Sequence, residues 1–333
     1  MNSFGQLFHI SLFGESHGDG IGVVIDGCPA GVSLKREEFT KDLRKRKPKK
    51  KGGTPRMEED SPMIISGILD QRTTGAPIAI FFANKNIRPL DYLPFQMLPR
   101  PGHVDFVGLH KHGGFHDSRG GGHFSGRLAL ALVTAGVIAK KLIAPAEINA
   151  NILEIGGSRD FDGIIDKAIK ENDSLGGIVE CSIKGLPVGL GEPFFDSAES
   201  LISHMVFAIP GIKGIEFGSG FACSRMRGSE CNDVIINKRG KTRTNHTGGI
   251  NGGITNGNEV IFRVAVRPTP SIVKKQETVN LQTGQRERMS IKGRHDTCFA
   301  MRMPVIVEAA AAIVFVDLLL RAQIIPRIWG GKI

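Results

Sequence analysis

The chain is poor in several things that mark common protein classes. Among 333 residues there is one Trp and one Tyr, and acids number only 33 against 43 Lys and Arg, a net charge of +10. Long apolar runs are missing. The longest, Ala309 to Val316, is under half of the roughly 18 residues that a membrane span needs, so no membrane span or membrane partner is expected. No Lys or Arg precedes Lys35 and no signal-type apolar core follows the first residue, which leaves a cytoplasmic location as the expectation. The five cysteines (Cys28, Cys181, Cys223, Cys231, Cys298) are odd in number, far apart and form no C-x-x-C pair. That usage suits reduced thiols and gives no metal site. Linkers rich in Pro or Ser, shifts of composition and repeats of 20 to 50 residues are also lacking, so one continuous domain over 1–333 is the simplest organisation. Both standard nucleotide signatures fail. Gly240-Lys241-Thr242 has the tail of a P-loop but Ile235 where its first glycine belongs, and no triplet satisfies G-x-G-x-x-G.

What the chain has in excess is glycine and one block of positive charge. The 43 glycines are roughly 13% of the residues against a usual figure of about 7%. They cluster at Gly14 to Gly22, Gly113 to Gly126 and Gly248 to Gly257, where they make either ordinary turns or loops whose N–H groups approach a ligand closely. Seven of the ten surplus charges sit in Arg44-Lys45-Arg46-Lys47-Pro48-Lys49-Lys50-Lys51. Three readings of this run stand side by side: a nucleic-acid patch, a solvated charged face and a site for small anions. The single Trp and Tyr give little to stack bases on, although 19 Phe weaken that objection.

Helical periodicity is clearest over Arg36 to Arg46, Phe124 to Ile143 and Pro304 to Gln323. The second and third are mostly apolar, which places them inside a layered fold. Strands are predicted over Leu7 to Phe13, Val23 to Asp26, Met63 to Leu69, Ile78 to Ala83, Ile178 to Ile183 and Glu259 to Val266. Helices and strands alternate without segregation, so the class is mixed α/β.

Several glycine turns carry groups able to do chemistry. Gly14-Glu15-Ser16-His17-Gly18 follows a strand and sets a hydroxyl and an imidazole in a turn; Ser16 suits an anion and His17 a proton. Pro101-Gly102-His103-Val104-Asp105 offers a second histidine with an acid two residues on. His110, His112, His116 and His123 follow, but their spacing of 2, 4 and 7 matches no standard zinc site. Ser118 to Arg127 opens an apolar helix with three glycines and two arginines, which predicts an anion cradle. Arg267-Pro268-Thr269-Pro270-Ser271 and Gly293-Arg294-His295-Asp296 are further polar loops.

Taken in order, these stretches resemble the chorismate synthase family from about Phe4 to Arg321. The shared motifs are GESHG at Gly14 to Gly18, Ile25 to Gly31, RPGHAD at Arg100 to Asp105 with Val104 for alanine, and RGGG-x-x-S-x-R at Arg119 to Arg127. Gly228 to Asp233, Gly248 to Ile254 and Gly293 to Asp296 complete the set. The resemblance implies a β-α-β sandwich of antiparallel sheets around long central helices, assembled as a homotetramer. It implies a trans-1,4-elimination of phosphate from 5-enolpyruvylshikimate 3-phosphate, giving chorismate, with reduced FMN required and not consumed. By motif, His17, His103 and Asp296 would be catalytic, and Ser16, Arg46, Arg127 and Arg294 would bind substrate. FMN would be held by His123, Phe124, Ser125, Gly252, Arg294, Arg267, Pro268, Thr269, Pro270 and Ser271, with Pro210 and Gly211. Any NADP contact would fall on Arg46. No nucleotide fingerprint is present, which favours an outside flavin reductase. The charge fits such a ligand pair, since two phosphates of up to about −2 each and two carboxylates enter one cleft.

The departures from the family pattern are local. His123-Phe124 replaces the usual Arg-Ser, Ser118 stands where tyrosine is common, and lysines replace arginine after Arg46. A family arginine a few residues beyond Arg46 has no counterpart among Lys51, Gly52 and Gly53. Lysine keeps charge but loses the bidentate fork of arginine. The run from Arg44 to Lys51 is expected to form a charged loop at the mouth of the cleft.

Overall fold

The computed structural model describes residues 2–47, 51–54, 56, 58–291, 293 and 295–330. Among the described residues are seven α-helices, labelled in chain order: α1 (Arg36–Arg46), α2 (Asp105–Lys111), α3 (Ala129–Leu142), α4 (Phe161–Lys170), α5 (Ala198–Phe207), α6 (Gly228–Cys231) and α7 (Met303–Arg321). One antiparallel sheet has the strand order Ser3–Phe4, His9–Gly14, Gly20–Asp26, Ile78–Ala83, Met63–Ser66. A second, also antiparallel, runs Ile212–Phe217, Val260–Val266, Gly177–Lys184, Glu147–Ile155. Between them, α3 packs on the first sheet, α7 packs on the second, and the two helices pack on each other. The expected sandwich of sheets around central helices is therefore observed.

Alternation explains how each sheet finds its inner face. Ile78, Ile80 and Phe82 are buried while their neighbours are not, and Val260, Phe262, Val264 and Val266 repeat the pattern. The helices between the sheets are apolar on most of their circumference because both sides are covered. Their approach depends on Gly136 of α3, where a Cβ would lie 2.2 Å from the Ala309 Cβ of α7. By length and composition Phe299–Arg321 and Arg119–Leu142 match membrane-spanning helices, which a count of unbroken apolar runs overlooks; here 89% and 78% of the most apolar 18-residue stretch of each is packed inside the protein.

Buried charges lock the layers together. Lys140 of α3 donates to Asp42 of α1 (2.7 Å) and Glu308 of α7 (2.5 Å). Burial alone would lower the Lys140 pKa, but the two carboxylates raise it above the ordinary lysine value. Asp317 of α7 accepts the backbone N–H groups of Gln6, Leu7 and Phe8 at 2.7–3.0 Å, tying the N-terminal segment to the core.

Helix α1 and the strand Ile78–Ala83 lie where sequence patterning predicts them. The predicted helix over 124–143 is shorter. Arg119–Phe124 is a kinked pair of turns and Gly126–Leu128 a 3-10 turn; Gly120, Gly121 and Gly122 take φ of 60°, 80° and 51°, outside the range of either helix type, so the α-helix begins only at Ala129. The predicted strand over 63–69 is interrupted at Gly67. Glu147–Ile155, Ile212–Phe217, α4 and α5 were not among the predicted elements. Glu147–Ile155 alternates Asn and Glu with aliphatics and ends its partner's sheet, so its sequence has little apolar signal.

The predicted charged loop after residue 43 is a mixture. Arg44, Lys45 and Arg46 form the last turn of α1, and Arg46 is only 4% exposed. Lys47 and Lys51 flank residues 48–50, which lie outside the described residues. With Arg46 turned inward, the seven cations do not form one continuous exposed stripe.

Candidate active site

A cavity of 370 Å³ opens where the GESHG turn, the segment 54–60, the 3-10 turns before α3, the segment 267–271 and the segment 295–302 converge. Seven cationic side chains of the described residues line it (Arg46, Lys47, Arg56, Arg100, Arg127, Arg267, Arg302), against three carboxylates (Glu58, Asp60, Asp296). Such an excess in a partly buried space attracts small molecules bearing several negative charges.

Ser16 and His17 occupy the turn between strands His9–Gly14 and Gly20–Asp26 and are 1% and 2% exposed. Asn84, just past the strand Ile78–Ala83, fixes this turn by donating to the carbonyls of Glu15 (2.9 Å) and Gly18 (2.8 Å). The glycine run presses against it. Gly122 accepts the N–H of Ser16 at 3.1 Å, and a Cβ on Gly120 would lie 2.3 Å from His17 Nδ1. The edge of Tyr92, from the 3-10 turn Pro89–Gln96, meets the imidazole at 4.8 Å between ring centroids.

Arginines surround this pair. Arg56 donates to Ser16 Oγ and to the Ser16 carbonyl, both at 3.2 Å, and is held by Glu58 at 2.8 Å. Arg127 donates through Nε to Asn84 Oδ1 (2.6 Å) and through Nη1 to Asp60 Oδ1 (3.0 Å). Arg46 reaches the other oxygen of Asp60 at 3.7 Å and the carbonyls of Gly126 and Arg127 at 3.3 Å. Arg302 pairs with Asp296 at 2.9 Å, while the N–H of Thr54 donates to the same carboxylate. Burial pushes the Asp296 carboxyl up, and Arg302 and Arg46 counter that only in part.

The second histidine sits in a separate charge group. Arg100 holds Asp105 through two bonds of 2.7 Å and stacks its guanidinium 4.5 Å from the Phe95 ring centroid. Asp105 is also 2.7 Å from His103 Nδ1. Burial would raise Asp105, but Arg100 and His103 hold it well below the usual carboxylate range. Arg100 Nη2 lies 3.0 Å from the same nitrogen and can only donate, but the shorter contact is to the ionised Asp105, so we assign the Nδ1 proton to that bond, which leaves Nε2 as an acceptor. Burial lowers the His103 pKa; Asp105 opposes this, and Arg100 and Arg267 add to it. His295, beside them, falls to about 4, through burial and then the charges of Arg100 and His103. Both imidazoles are neutral near pH 7.

Most of the sequence-predicted residues meet here. Ser16, Arg46, His103, Phe124, Ser125, Arg127, Pro210, Gly211, Asp296 and Arg267 to Ser271 all line the cavity, and His17 packs behind its wall against Gly120 and Tyr92. Two further predicted residues do not line it. His123 turns away to bond the Gly14 carbonyl through Nδ1 at 2.8 Å, and Gly252 sits in the turn between the short strands Ile250–Asn251 and Ile254–Thr255. Arg294 lies outside the described residues. Sequence reading missed Arg56, Asp60, Asn84, Tyr92 and Arg302. Arg56 supplies the cleft with an arginine on Ser16 that no sequence motif marked.

An electropositive cleft with two histidines, held by a β-α-β sandwich, defines an enzyme for a small polyanionic substrate. Comparison with known proteins makes this specific. The family model of chorismate synthase matches residues 8–320. A curated chorismate synthase of Chitinophaga pinensis is 57% identical over 330 residues, 99% of each chain, and one of Dehalococcoides mccartyi is 46% identical over 359 residues, covering 98% of this chain and 99% of that one. A crystal structure of chorismate synthase aligns over 96% of this chain and 93% of its own, with a TM-score of 0.73 at 24% identity, and so shares the fold. The chain belongs to the chorismate synthase family. It is an enzyme of the carbon–oxygen lyase class, forming chorismate in the shikimate route to aromatic amino acids.

Proposed function

We propose that the cavity binds 5-enolpyruvylshikimate 3-phosphate beside reduced FMN, and that this chain's side chains carry out the trans-1,4-elimination of phosphate as follows. Ser16 and Arg56 bind the leaving phosphate, and His17 delivers a proton to it as the C–O bond breaks. Arg46 and Arg127 hold substrate oxyanions. His103, kept neutral by burial and oriented by Asp105, offers Nε2 as an acceptor at the wall of the cavity. The hydrogen lost from the substrate carbon leaves as a proton, and Asp296, whose pKa is raised by burial, is the cavity carboxylate that takes it up. The observation that carries the reading is the buried Ser16–His17 pair under Arg56 in a cleft with a surplus of cations.

The residues present fit a flavin. Thr269 Oγ1 and His295 Nε2 are buried and have no hydrogen-bond partner among the described residues, so each has capacity left for a polar ring system. Phe124, Pro268 and Phe299 supply flat apolar wall, while Ser125 and Arg267 offer donors to a phosphate. Bound there, reduced FMN would lend electron density to the substrate and recover it without net redox change. The remaining parts of the reading are a single working domain over the chain, a homotetramer, a cytoplasmic location and reduction of the flavin by an outside reductase.

The test is anaerobic incubation of the folded protein with substrate and reduced FMN. Phosphate release matched by chorismate is the expected result; none from a flavin-loaded sample would end the reading.

A further inference from the structure

Asp60 is a poor residue for an anion site on two counts. Its backbone takes φ of 54°, in the left-handed region that side chains avoid, and its carboxylate, 4% exposed, puts negative charge where the substrate brings more. Both features need a reason, and the geometry offers one. Asp60 Oδ1 accepts Arg127 Nη1 at 3.0 Å, while Oδ2 faces Arg46 Nη1 at 3.7 Å. The remaining edge of each guanidinium stays open: Arg127 Nη2 and Arg46 Nε are buried with no hydrogen-bond partner among the described residues.

We propose that Asp60 is a positioning residue that acts as a resident counter-anion, bridging Arg46 and Arg127 so that their open N–H groups converge on one substrate oxyanion. The inference rests on the reading of the cavity given above and adds a residue to it. Two like charges buried side by side repel each other, and an empty site has no ligand to balance them. Arg46 registers this: burial pulls its pKa down to about 9, Asp60 opposes the fall, and Arg302 and Arg127 add to it. A backbone carbonyl could anchor one guanidinium. A carboxylate bridges two and also cancels one of their charges, which no carbonyl does, and the left-handed turn delivers it. Asn84 on Arg127 and the carbonyls of Gly126 and Arg127 on Arg46 fix the far sides, so the bridge sets the angle between the forks.

This role has a signature that a merely structural role lacks. Removing the carboxylate takes repulsion away from an anion, so simple anions should bind more tightly. It also frees the two guanidiniums to wander, so turnover should fall. The experiment compares wild type with Asp60→Asn for inorganic phosphate binding by calorimetry, heat stability with and without phosphate, and phosphate release from substrate. The variant is expected to bind phosphate about tenfold more tightly and to turn over about tenfold more slowly, the scale of one charge-assisted hydrogen bond. Its stability should be lower without phosphate and recover more with it than that of wild type. Unchanged or weaker phosphate binding overturns the proposal, as does unchanged turnover. Should Asp60→Asn not fold, Asp60→Gly, which accepts the left-handed backbone, takes the same phosphate measurement; failure of both to fold even in high phosphate also overturns it. The phosphate comparison needs no turnover. If wild type released no phosphate from substrate, the reading of the reaction would fail while Asp60 was still judged.

Discussion

Gly120 and His17 show how tightly individual residues are constrained in the cleft. A methyl group on Gly120 would overlap the imidazole, and its φ of 60° already disfavours any side chain. Gly120→Ala is therefore expected to displace His17 and to lower turnover sharply, with flavin binding retained; equal turnover in the two proteins would refute the contact. His17→Ala should abolish most phosphate release and leave the circular dichroism spectrum unchanged, whereas an unfolded variant would make that histidine structural. Protonation offers a third test. His295 has a folded pKa of about 4 against an ordinary value of 6.5, so between those values the unfolded chain binds more protons than the native one. Stability from this group is then complete above pH 6.5 and lost as pH falls toward 4, by up to about 3 kcal/mol. Urea unfolding at pH 5 and 7.5 should show a shallower pH dependence for His295→Gln than for wild type; matching slopes would count against it. Ser16, His17, His103 and Arg127 were legible in the sequence because each lies in or beside a turn whose glycines announce a ligand site, whereas Asp296 was legible only through the resemblance of its loop to the family motif. Arg56 and Asp60 were not, because they function only through Ser16, 40 positions away, and through Arg46 and Arg127.

Among the elements, the α3–α7 pair controls the core. Gly136 lets the two helices approach so closely that there is no room for a Cβ. Gly136→Val should cost about 1–3 kcal/mol through overpacking, seen as a lower urea midpoint; an unaltered midpoint would mean that the helices can separate freely. Periodicity revealed both helices because each is covered on two sides by a sheet. It could not locate the start of α3, since the apolar pattern continues upstream while the glycines at 120–122 impose turns that α-helical φ values cannot supply. Those same turns bring Gly122 to Ser16 and Gly120 to His17, so the shortened helix is what builds the site.

For the whole molecule the surplus of positive charge has an address. Much of it converges on a cavity that α1, the 54–60 segment, the loop before α3 and the segment before α7 assemble together. If the cleft is the flavin and substrate site, reduced FMN at a hundredfold excess over its Kd should raise stability by about 2.7 kcal/mol, and no thermal shift would argue against binding there. Exposed aromatics such as Phe115, Phe194, Phe195 and Phe221, all more than three quarters accessible in one protomer, suit the proposed homotetramer, and light scattering decides it: a monomer would remove that part of the reading. Composition, periodicity and ordered turn motifs determined by themselves the class of fold, the two central helices and the residues that lie in glycine turns, because those properties are encoded over a few neighbouring positions. Only the tertiary structure decided that Arg46 points inward, that Arg56 meets Ser16 and that Asp60 joins two arginines. Those contacts span 14 to 81 positions of chain and come from packing one layer on another, which local sequence does not record.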